Sequence, residues 1–100
     1  MNIKISSVHF DADKKLLDFI ESRVSKLAKF YEDIIGAEVV LRIDKSQDQE
    51  NKLAEIKLIV PNGGDLFAKK QTKSFEESTD SVIEALQKQI TKHKEKIRGN

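Results

Sequence analysis

Two stretches of this chain, residues 11–36 and 74–97, repeat apolar residues at spacings of three and four, with charged and polar residues between them. Each therefore carries one apolar stripe, and a helix of that kind buries one side only. Two such helices in 100 residues need a shared surface to cover, and the segments around them must provide it.

Those segments read as strands. NIKISSVHF (2–10) alternates Ile3 and Ile5 with Lys4 and Ser6, the period of a half-buried strand that takes in Ser6, Ser7 and His9. AEVVLRID (37–44) is rich in β-branched and aliphatic residues. After the polar loop DKSQDQENK comes KLAEIKLIV (52–60), with Ala54, Ile56, Leu58 and Val60 on one side. PNGGD (61–65) has the composition of a tight reversal, and DLFAKKQT (65–72) supplies a fourth strand.

The helices carry their own punctuation. In the first, Leu16, Ile20, Val24, Leu27 and Tyr31 form the stripe, Asp13 is the expected N-cap and Gly36 the expected stop. In the second, SFEE sets Ser74 and Glu77 as a capping box, with Val82, Leu86, Ile90 and Ile97 facing inward. The order is β-α-β-β-β-α. It predicts an α+β domain over residues 1–100, two helices packed on one face of a four-stranded mixed sheet. The first strand pair is expected to be parallel, through a helical crossover, and the rest antiparallel.

Size and composition narrow the function. One domain of 100 residues is too small for a deep, enclosed catalytic cleft. Cysteine is absent, which rules out disulfides and thiolate metal sites. The N-terminus lacks the apolar run of a signal peptide, and no segment has the length to span a bilayer, so a cytoplasmic protein is expected.

The chain is nearly neutral, 18 Lys and Arg against 17 Asp and Glu, yet its last helix is polarised. Glu76, Glu77, Asp80 and Glu84 occupy its first half; Lys88, Lys92, Lys94, Lys96 and Arg98 occupy the second, opposed only by Glu95. Complementing the helix macrodipole explains part of this, but that effect fades beyond the last turn. Lys88, Lys92 and Lys96 are spaced by four, where like charges repel, so helix stability alone does not account for them. The first helix adds Arg23, Lys26 and Lys29 between Glu21 and Glu32, and KKQTK adds Lys69, Lys70 and Lys73. Lysine ridges of this kind suit an array of phosphates, bound by counterion release without base reading. RNA fits better than DNA, since no helix presents Arg, Asn and Gln to a major groove.

Catalytic patterns are missing. His9 and His93 are the only histidines, and neither completes a metal set or a nucleophilic triad. Asn62-Gly63-Gly64 lacks the Lys-Ser/Thr of a phosphate loop. No enzyme, cofactor or metal is expected.

Taken together, RVSKLAKFYEDI, VPNGGDLFAKK and QITKHKEK in this order make the chain resemble the ribosome hibernation promoting factors, or ribosome-associated translation inhibitors, over essentially its whole length. The resemblance implies binding to the 30S ribosomal subunit in the channel for messenger and transfer RNA, and inhibition of translation in resting cells. It also implies rRNA-phosphate contacts by Arg23, Lys26, Lys29, Lys88, Lys92, Lys94 and Lys96, with His93 in the same motif; Arg98 extends the basic run. Ala85 stands where relatives often have lysine, so the ridge begins later. Ending at Asn100, the chain resembles the short form, which implies a monomer off the ribosome that either needs a separate factor for ribosome dimerisation or acts only as a plug.

A double-stranded RNA-binding domain docks phosphates at the start of its last helix, which here is the acidic SFEESTD. A protein-interaction module using the open sheet face or an edge strand is the alternative from another class, and salt dependence separates it from phosphate binding.

Overall fold

A computed structural model describes residues 1–46, 48–61 and 64–97, with residues 96 and 97 described by backbone alone. Its elements are β1 (Asn2–Ser7), α1 (Lys14–Phe30), β2 (Gly36–Ile43), β3 (Lys52–Ile59), β4 (Leu66–Thr72) and α2 (Phe75–Ile97), in the expected order. The strands lie β1-β2-β3-β4, parallel between β1 and β2 and antiparallel thereafter.

Register makes the sheet two-faced. One row across it reads Ile5, Val39, Ile56, Ala68, and the next reads Lys4, Glu38, Lys57, Phe67. The first row faces the helices, whose Ile20, Val24, Leu27, Val82, Leu86 and Ile90 are fully buried against it. The second row stays exposed. Its charges alternate across the strands, and ion pairs of 3.7 Å (Arg42 to Glu55) and 3.8 Å (Lys57 to Asp65) add to that pattern. Ile97, expected on the inner face, has a side chain outside the described residues, as does the Asn62-Gly63 turn.

Asp13 caps α1 as expected, its carboxylate accepting from the Leu16 amide at 2.8 Å. Gly36 is not the stop. α1 ends at Phe30, where the Tyr31 amide still donates to the Leu27 carbonyl while Tyr31 itself is extended. Tyr31 is fixed in the core, and the chain leaves the helix there to bury Ile34. Gly36 instead opens β2, where a Cβ would lie 2.9 Å from the Asn2 carbonyl oxygen; glycine lets the two strands close at that point. His9 is also displaced from expectation. β1 stops at Ser7, and His9 lies beyond it at φ 63°, a left-handed turn that redirects the chain toward α1.

The capping box is half formed. Ser74 Oγ accepts from the Glu77 amide at 3.1 Å, but the Ser74 amide donates to Thr72 Oγ1 rather than to the Glu77 carboxylate. The neighbouring Ser78 is fully buried and joins three elements. Its hydroxyl donates to the Lys52 carbonyl at 2.5 Å, accepts from the Thr72 amide at 3.1 Å and lies 2.7 Å from Thr72 Oγ1. Ser78→Ala strands those backbone groups without water. It is expected to cost about 1–3 kcal/mol, read as a fall in Tm of roughly 4–8 °C per kcal/mol in thermal unfolding.

Candidate nucleic-acid interface

Helix direction decides which cations meet, and three contacts fix it. Phe10, just before α1, stacks on Phe75 at the start of α2, ring centroids 5.0 Å apart. Arg23 Nε donates to Asp80 at 2.9 Å. Lys94 Nζ, near the end of α2, donates to the carbonyl of Phe30 at 3.0 Å. Start meets start and end meets end, so the helices run in the same direction. Their negative dipole ends therefore lie at the same end of the molecule, where Lys29 and Lys94 offset them.

This arrangement sorts the expected residues into two groups. Arg23 falls beside the acidic half of α2; its guanidinium pairs with Asp80 and lies 4.3 Å over the Phe19 ring. Lys94 serves α1 as a cap from the neighbouring helix, satisfying one of the carbonyls that a helix end leaves open. His93 turns toward the interior: its ring meets Tyr31 edge-on at 5.6 Å, and a Cβ on Gly64 would come within 3.3 Å of it. Burial, then the nearby Asp33 carboxylate, raises the Tyr31 phenol above its ordinary pKa and keeps it neutral beneath that contact. Arg23, His93 and Lys94 thus have structural partners.

Lys26, Lys29, Lys88 and Lys92 form the outward group, all exposed. Among the described residues, Lys26, Lys29 and Lys92 have no ion-pair partner, and Lys88 has only Glu84, at 3.9 Å on a side chain 78% exposed. Lys26 lies between the Arg23 and Phe30 rungs of α1, as Lys88 lies between the matching rungs of α2. Each four-residue step along α2 turns about 40° round its axis. Lys92 is accordingly drawn toward β4, where it borders a hollow with Leu66, Gln89 and His93. Gln89 holds that side closed by donating to the Phe67 carbonyl at 2.8 Å. The Lys96 side chain and Arg98 lie outside the described residues.

Asp80, the partner of Arg23, is not singled out by sequence, because 57 residues separate the two. The charge segregation of α2 was the available signal, since an acid-rich half must face something. Such a surface can hold phosphates electrostatically.

A family model described as sigma 54 modulation protein / S30EA ribosomal protein matches residues 3–98. A protein of Klebsiella oxytoca named ribosome hibernation promoting factor is 29% identical over 98 residues, covering 98% of both chains. Its namesake from Escherichia coli K12 is 24% identical over the same coverage. The fold matches a ribosomal subunit interface protein from Coxiella burnetii with a TM-score of 0.83 at 18% identity, covering 94% of this chain and 98% of that one. It also matches the N-terminal domain of Thermus thermophilus Protein Y with a TM-score of 0.78 at 21% identity, over 93% and 99% of the two chains.

Proposed function

The chain belongs to the sigma 54 modulation protein / S30EA ribosomal protein family, and we propose that it binds the small ribosomal subunit through its helix layer and silences translation. Lys26, Lys29, Lys88 and Lys92 contact rRNA phosphates, and the body of the domain fills the channel that messenger and transfer RNA would occupy. Initiation stops because the site is already full, and no catalysis is needed. The protein works in the cytoplasm, where it keeps idle ribosomes in hibernation. Its relatives' names, ribosome hibernation promoting factor and ribosomal subunit interface protein, support this reading. The observation that carries it is the exposed lysines on two parallel helices, with a single loose carboxylate contact to them among the described residues.

Counterion release gives the test a number. Four phosphate contacts predict a slope of log affinity against log salt of roughly −3 to −4, and contributions from Arg98 or Lys96 steepen it toward about −5. Co-sedimentation with 30S particles across a salt series measures it. A slope near zero would instead favour a protein partner at the exposed sheet face.

A further inference from the structure

The ring of Phe30 ends α1 with 42% of its surface exposed, while the neighbouring Tyr31 turns into the core. It stands where the two helix C-termini come together. Two hollows meet at this ring: one of about 370 Å³ bordered by Lys29, Glu32, Asp33 and Lys94, and one of about 270 Å³ bordered by Thr91, Lys94 and Glu95. The Lys94 ammonium lies 5.2 Å from the ring centroid and is held there by its bond to the Phe30 carbonyl.

We propose that Phe30 is a stacking platform for an unpaired RNA base, seated in the cleft between the ends of α1 and α2. This rests on the reading that the helix layer meets RNA, and it adds a contact of a different kind. The cleft differs chemically from the lysine ridge. Glu32, Asp33 and Glu95 border it, and carboxylates repel a phosphodiester. The same carboxylates accept from the amino and imino hydrogens on a base edge. A flat, neutral ring bearing such donors can stack on Phe30 while Lys29 takes the adjoining phosphate. An apolar side chain from a protein fits less well, because it would desolvate Lys94, Asp33 and Glu95 without bonding to any of them.

The chain contains no tryptophan, so Phe30→Trp places a single reporter at the platform. The intact variant is titrated at low salt with a short unstructured RNA and with an abasic oligonucleotide of the same backbone, following tryptophan emission and the anisotropy of the labelled strand. Stacking predicts quenching by the base-bearing strand alone. In parallel, Phe30→Leu, which keeps an apolar side chain without the π face, is expected to weaken binding of that strand about five- to a hundredfold and leave abasic binding unchanged. If both strands bind with equal emission, and Leu binds both as phenylalanine does, the platform is overturned and the phosphate surface stands. If neither strand binds, both readings fail.

Discussion

Lys88→Glu combined with Lys92→Glu is expected to weaken binding to 30S particles by about a hundredfold or more at physiological salt, with the circular dichroism spectrum unchanged. Each reversal replaces an attraction to phosphate by a repulsion, so two substitutions act on the interface as four charges. The fold has little to lose. Both side chains are exposed, and among the described residues the one ion pair broken, Lys88 to Glu84, is a solvated i,i+4 contact worth about 0.3–0.5 kcal/mol. Co-sedimentation of the variant with small subunits at parental levels would defeat the helix-ridge mechanism. Arg23→Gln is the informative control. Arg23 sits beside Asp80 rather than with the lysines, so its loss should disturb the contact between helices more than it disturbs subunit binding.

Leu86→Ala acts in the opposite way. Leu86 is fully buried on α2, two residues before Lys88, and helps hold the basic helix on the sheet. Truncation removes its transfer free energy and leaves a cavity that packed neighbours fill only in part, at an expected cost of about 2–5 kcal/mol. Thermal unfolding should show the loss directly. Well below the lowered Tm, the folded fraction should bind small subunits with parental affinity, because no cation has been touched. A variant that remained fully folded yet bound weakly would mean that α2 must deform on the ribosome, contrary to a rigid lysine surface.

The two substitutions are separated along the same helix by its period. Core-facing and outward positions alternate every one or two residues, so neighbours in sequence serve unrelated purposes. Lys94 shows the limit of reading charge from sequence. It belongs to the basic run, yet its ammonium serves the carbonyl at the end of α1. Arg23 is similar, an apparent member of a cationic patch that is matched by a carboxylate far along the chain.

Periodicity, capping residues and charge order are local properties, and the sequence determined what depends on them: the six elements, the inward residues of the sheet and of both helices as far as Ile90, the Asp13 cap and the concentration of lysine in the second half of α2. The family was legible for the same reason, since its motifs are short runs. Tertiary structure decided the rest. The common direction of α1 and α2 placed Arg23 against Asp80 and turned Lys94 toward Phe30. The close approach of β1 and β2 gave Gly36 a role in the sheet, and Ser78 became a junction only when β3 and the end of β4 met the start of α2. Those outcomes depend on which groups come within a few ångströms across long sequence separations. That is fixed by how apolar faces pack, and a one-dimensional pattern carries no record of it.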